Sequence, residues 1–356
     1  MNARTRNLTL VAVVAAISVV VWVAVRKSTS ASPMPTGIND NSAAETIETS
    51  DPAPSTSAAP EPTASPGATS TPEPATSVVV SARWGSGRGE LGRLRPQEGN
   101  PEGPMSFASA GEDLLVLDQV NQRVVRYDAR GEVKDTFEAS PTTQDIAVAK
   151  DGTVALLDRL VDKTVRLVDS RGRPVGSLSL PPDRVPDPGL VTGVFVDDKD
   201  VYVEKEHGVL VRIGTTDGRP ADAAELTGRP SKDGTLLLMA VLSAPEARVN
   251  LNAFDRMLGT LRFARSIPFA RPLREIVLLD TDRRGTIYLG TTAGRPPMFH
   301  VACLDPSDGH VIGRLSLPTS DVEEEAFRDF TVTDDGTIIA SIRSEEGVQY
   351  LRERCP

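Results

Sequence analysis

Acidic residues close several apolar runs of this chain. Asp118 ends LLVLD, Asp158 ends TVALLD, Glu204 sits in VYVEK and Asp280 ends IVLLD. Carboxylates at the ends of comparable strands could ring one mouth of a closed β structure and hold Ca2+, which takes about six to eight oxygen ligands. These four are therefore the candidate cation set. Two cysteines, Cys303 and Cys355, can pair in one way only, and an even pair points to one disulfide in an oxidising compartment. His207, His300 and His310 are scattered without ligand spacing, so each is expected on a surface or a strand and not on a metal. The sequence has no G-x-S-x-G elbow, phosphate loop, H-E-x-x-H or C-x-x-C, so no catalytic residue is assigned. WGSGRGELG (84–92) is glycine-rich, but it opens no apolar helix and reads as turn punctuation.

Composition narrows the classes further. The 356 residues carry 49 Asp+Glu against 39 Lys+Arg, a net charge of −10, with no basic block. A nucleic-acid partner is disfavoured, because it would require a surplus of cations facing the phosphates. The N-terminal segment, 1–27, contains an uncharged, mostly apolar run over residues 8–25 that includes eleven Leu, Ile or Val. At about 1.5 Å per residue this run spans most of a hydrocarbon core about 30 Å thick, and it is expected to be a transmembrane signal-anchor. A cleaved signal peptide is the competing reading. Against it, the run exceeds the usual apolar region of a signal, ends at Arg26-Lys27 and has no A-x-A directly after it. No cysteine follows that could carry a lipoprotein anchor. Residues 28–77 hold nine Pro, nineteen Ser or Thr and six acids, with no Lys, Arg or aromatic residue. Such a segment cannot bury enough apolar surface to offset its ordering entropy, so it is expected to be a disordered tether. The domain beyond it keeps 35 basic residues against 43 acidic ones. Its acidic balance belongs to the surface it presents.

Residues 78–356 are punctuated at a regular interval. Turn pairs precede β-prone runs at Glu112-Asp113, Asp151-Gly152, Lys199-Asp200, Asp233-Gly234, Arg284-Gly285 and Asp335-Gly336. The interval averages about 45 residues, the period of a repeat in which each unit is a four-stranded blade. A turn that needs positive φ, followed by β-branched residues, is a hairpin signal. Six such units make the expected fold an all-β, six-bladed β-propeller, preceded by the transmembrane helix and the tether.

More than the turns recurs. VLDQVNQRVVRYDARGEV (116–133) and LLDRLVDKTVRLVDSRGRPV (156–175) share an apolar strand, an Asp, a polar loop, V-R-x-x-D and a Gly turn. VEKEHGVLVRIGTTDGRP (203–220) keeps part of this pattern, and residues 299–317 keep less. Within these loops Asp118 and Asn121 are expected to bond loop amides. In these residues, and in RWGSGRGELGRL leading to GNPEGPMSF, the chain resembles the NHL-repeat class of six-bladed propellers from Arg83 onward. The repeat around 236–263 has lost the Asp and Arg signals and is a blade by spacing alone. The last repeat has three strands, so VVVSARW (78–84) is expected to supply the fourth and bury both sheet edges. A Cys303–Cys355 bridge would then fasten the closing blade to its neighbour, provided the Cα atoms approach within about 7 Å.

The expected function is a single-pass membrane protein whose propeller lies on the extracytoplasmic side. There it acts as a binding or scaffold module for a protein or an envelope polymer. The alternative is a Ca2+-dependent hydrolase of the propeller lactonase type, using the strand-end acids.

Overall fold

In the computed structural model, which describes residues 77–356 except 323, the first strand is β1 (Ser77–Arg83). The strands that follow form six antiparallel four-stranded sheets. Blade 1 is β2 (Ser106–Ala110), β3 (Asp113–Asp118), β4 (Arg123–Tyr127) and β5 (Val133–Glu138). Blade 2 is β6 (Asp145–Val148), β7 (Val154–Asp158), β8 (Thr164–Val168) and β9 (Pro174–Ser179). Blade 3 is β10 (Val191–Asp197), β11 (Asp200–Lys205), β12 (Val209–Thr215) and β13 (Glu225–Thr227). Blade 4 is β14 (Arg229–Pro230), β15 (Leu236–Ser243), β16 (Arg248–Asp255) and β17 (Leu261–Pro268). Blade 5 is β18 (Leu273–Thr281), β19 (Ile287–Ala293), β20 (Met298–Leu304) and β21 (Val311–Pro318). Blade 6 is β22 (Phe330–Val332), β23 (Thr337–Arg343) and β24 (Gly347–Arg354), and β1 completes it as the outer strand. The fold is a six-bladed β-propeller.

All six predicted turns join the first and second strands of a blade. They therefore share one face of the ring with the third-to-fourth strand turns. Connections from second to third strands, and from one blade to the next, share the other face. Middle strands bury side chains on both faces where they pack against a blade on either side, whereas β15 and β16 of blade 4 bury one face only. Thus β3 alternates between two apolar clusters, Leu114 and Val116 towards blade 6 and Leu115 and Leu117 towards blade 2. Outer strands bury one face only. In β17, for example, only Phe263 and Ile267 are buried.

The ring closes as expected, with β1 antiparallel to β24 from Ser77 opposite Arg352 to Arg83 opposite Gly347. The strand begins one residue before the expected boundary at Val78. Val80 and Ala82 are buried, and Trp84 Nε1 donates to Ser344 O at 2.9 Å. Gly131 has φ +79°, and a Cβ there would lie 2.2 Å from Val79 O, so the blade 1 turn can approach the closing strand only without a side chain. No helix among the described residues is long and apolar enough to cross a membrane. The apolar run at 8–25 and the tether up to residue 76 lie outside the described residues.

Candidate functional site

The inner strands bring charged side chains together across the channel. Asp145, the first residue of β6, is fully buried and accepts from four donors belonging to three other blades. Ser106 Oγ of blade 1 lies at 2.5 Å and the Val194 amide of blade 3 at 2.9 Å. Arg328, just before blade 6, completes the set with Nε at 3.1 Å and Nη2 at 2.7 Å. A carboxylate that accepts this many bonds can be buried without being orphaned. The Asp145 ion pair raises the Arg328 pKa even though burial opposes its charge.

Phe195 of β10 lies under two guanidinium groups. Arg229 is 5.0 Å from its ring centroid and Arg328 is 5.3 Å from it. Arg229 also grips Glu204 with Nε at 2.7 Å and Nη2 at 2.8 Å, and donates to Leu279 O at 3.0 Å. Beside this layer a cavity of about 160 Å³ opens on the face of the first-to-second strand turns. Phe195, Leu238 and Leu279 give it apolar walls, while Lys150, Lys232 and Arg283 bring cations and Asp198, Asp280 and Asp334 bring anions. Lys232 Nζ reaches Asp280 Oδ2 at 3.2 Å and also donates to Val332 O, and Arg283 pairs with Asp334 at 2.6 Å. Lys150 and Asp198 form no ion pair among the described residues. The cavity is amphipathic, with cations and anions nearly balanced.

The four strand-end acids do not form one ring. Asp118, Asp158 and Glu204 lie at the ends of second strands, on the face of the second-to-third strand loops. Asp280 lies near the end of a first strand, β18, on the opposite face. This corrects the expectation that all four could share a mouth. The acids also have protein donors of their own. Asp118 accepts from Arg123 Nε and Asn121 Nδ2, both at 2.8 Å, and from the Gly92 amide at 2.8 Å. That amide belongs to the segment leading into blade 1, so Asp118 pins a neighbouring stretch together with the Asn121 side chain of its own loop, where bonds to loop amides had been expected. Asp158 does bond its own loop, at the Val161 amide, and accepts from Thr142 Oγ1. The set does not fit a single Ca2+ site.

Of the histidines, exposed His207 lies 3.6 Å from Glu204 and His300 shares a 2.8 Å hydrogen bond with Ser316. His310 pairs with Asp308 at 2.7 Å and gathers with Asp305 in the β20–β21 turn, where both carboxylates accept turn amides. Burial lowers the His300 pKa, favouring the neutral ring.

Burial pushes the Glu204 carboxyl up, but the Arg229 ion pair and hydrogen bonds outweigh it and, with a smaller part from His207, hold the pKa at about 2. A carboxylate depressed in the folded state contributes stability above its ordinary value, and that contribution is lost as the pH falls towards the folded one. Between about pH 4.5 and about pH 2 the protein is expected to lose about 3 kcal/mol through this group alone. Urea unfolding across that range should fall more steeply for the native protein than for Glu204→Gln. Parallel curves would remove the assignment.

Cys303 of β20 and Cys355, just after β24, are joined as a disulfide with a Cα separation of 6.4 Å. The route runs past Gly313 of β21, which pairs with Cys303; a Cβ there would lie 3.1 Å from Cys355 Sγ. Peptide mapping without reductant should recover the two cysteines linked, and reduction should lower stability by about 3 kcal/mol by freeing a long loop of the unfolded chain. Recovery of two free thiols would refute this.

Asp145, Phe195, Arg229, Lys232 and Arg328 were not singled out by their residue types. Their signal is positional: Asp145 in QDIAV opens β6, and Arg328 in FRDFTV stands just before β22.

No protein family and no curated protein matches this sequence. Solved structures of similar architecture include hydrazine synthase from Kuenenia stuttgartiensis, at 16% identity and TM-score 0.45, covering 70% of this chain and 76% of that one. A catalytically inactive virginiamycin B lyase from Staphylococcus aureus with quinupristin is similar at 11% identity and TM-score 0.40, covering 73% and 88%. BamB from Moraxella catarrhalis is similar at 14% identity and TM-score 0.37, covering 78% and 100%. Nothing that these proteins bind or do passes to this chain at such levels of similarity.

Proposed function

We propose that this chain is a membrane-tethered, extracytoplasmic β-propeller of NHL-like repeats that binds a protein or a cell-envelope polymer as a scaffold. One observation carries the reading. The three longest connections, residues 84–105, 180–190 and 319–329, all lie on the face opposite the one where Ser77 begins the closing strand. A chain tethered through Ser77 thus leaves from one face, and the loops best able to vary stand on the other. That face also exposes apolar side chains, with Val161 at 63%, Leu160 at 51%, Leu94 at 49% and Leu190 at 44%. Arg159 ties two of these loops together by donating to Gly189 O at 3.0 Å and Val191 O at 2.6 Å. Apolar groups on rigidly held loops are the kind of surface that recognition uses.

Crosslinking of the anchored protein in cells tests this. The native chain should capture an extracytoplasmic partner, and a variant with Leu160, Val161 and Leu190 all changed to Ser should lose about tenfold of that capture while folding normally. Recovery of cytosolic partners alone would overturn the topology, and unchanged capture by the variant would overturn the face.

A further inference from the structure

We infer that the propeller has one built-in opening point, the seam between blades 3 and 4, which is latched by ion pairs where the other five seams are sealed by apolar contact. Five apolar clusters fill the seams between blades 6 and 1, 1 and 2, 2 and 3, 4 and 5, and 5 and 6. Among the described residues no such cluster joins blades 3 and 4. Strand alternation shows why. In β11, Val201 and Val203 face blade 2, so Tyr202 and Glu204 face blade 4. In β15, Leu236 and Leu238 face blade 5, so Leu237, Met239 and Val241 face blade 3. Val241 is 45% exposed and Leu261, on the same side of blade 4, is 54% exposed, although both are apolar.

Ion pairs do the joining. Glu204 of blade 3 holds Arg229 of blade 4 through two hydrogen bonds, and Asp197 of blade 3 holds Arg256 of blade 4. The backbone is also thinnest here. The outer strand of blade 3, β13, has three residues, and the inner strand of blade 4, β14, has two. The latch borders the cavity. Phe195 and Asp197 line it from one side of the seam, and Arg229, Lys232 and Leu238 line it from the other. Opening the latch widens the cavity and uncovers the apolar strip of blade 4, while the sealed seams keep the ring intact.

The four tyrosines are built-in reporters of this motion. Tyr202 faces the latched seam, whereas Tyr127 and Tyr350 lie in the cluster between blades 6 and 1 and Tyr288 in that between blades 5 and 6. Hydroxyl-radical footprinting of the full-length protein, read by mass spectrometry, should oxidise Tyr202 about tenfold faster than the other three. Arg256→Gln should raise the Tyr202 rate further and leave the others unchanged. Raising sodium chloride from about 0.05 M to about 1 M should act in the same direction on the native chain, because the Asp197–Arg256 pair is partly exposed and open to screening. Equal protection of all four tyrosines, or a salt response shared by all four, overturns the proposal. The native chain in salt decides the matter if the variant does not fold.

Discussion

Deletion of residues 77–84 from the otherwise intact chain is expected to abolish cooperative unfolding of the ring. The deletion removes β1, and with it the burial of Val80 and Ala82, the ladder to β24 and the Trp84 bond to Ser344 O. Burying one Val contributes about 1.5 to 3 kcal/mol, and each ladder hydrogen bond contributes about 1 kcal/mol net. The loss exceeds about 5 kcal/mol, on the scale of the whole stability of an ordinary domain. It also leaves one edge of β24 unpaired, an invitation to association between chains. The ion pairs of Arg93 and Arg95 with Glu324 and Glu345 would still draw blades 1 and 6 together, but they lie on the loops of one face and cannot replace a strand. Calorimetry should show a broad transition or none, and gel filtration should show higher oligomers. A sharp transition within a few degrees of the native one would mean that the ring is closed by something other than β1.

That closing strand was legible because edges are costly: a last repeat one strand short and an apolar run without a blade imply each other. Blade number was legible for a related reason, since each first-to-second strand hairpin needs a residue that tolerates positive φ, and such residues stand out in a sequence. Gly152, Gly234, Gly285 and Gly336 all adopt it. The channel was not legible from residue type. IVLLD ending at Asp280 and TVALLD ending at Asp158 look alike, yet Asp158 follows its hairpin turn and Asp280 precedes one. That order alone decides whether such a run is a second or a first strand, and hence which face the acid occupies. Asp145 and Arg328 escaped for another reason. Each is a charge beside a short apolar run, which in isolation reads as a solvated strand end; only ring closure, which brings residues 183 positions apart into contact, turns them into a buried pair. The weak seam was foreshadowed where the repeat signals fade, because the segment that loses the Asp and Arg pattern is blade 4.

Replacing Asp145 should be the most damaging single substitution within the channel. Its carboxylate satisfies a hydroxyl, an amide and a guanidinium from three other blades, so its loss orphans all of them at once. Removing one member of a buried ion pair costs about 3 to 5 kcal/mol, chiefly because the remaining charge is left without a counterion. Asp145→Ala should therefore lower stability by about that amount in urea unfolding. Asp145→Asn keeps the shape but turns an amide towards Arg328, and should recover little. A double-variant cycle separates the pair from its surroundings. Arg328→Met retains a long apolar stem near Phe195 while removing the charge, and combining it with Asp145→Asn should cost less than the sum of the two single changes by about 2 kcal/mol, as expected for directly coupled residues. Strict additivity would show that Arg328 and Asp145 contribute independently. The contact would then be a consequence of ring closure, with the joining of blades 1, 2, 3 and 6 resting on their apolar seams instead.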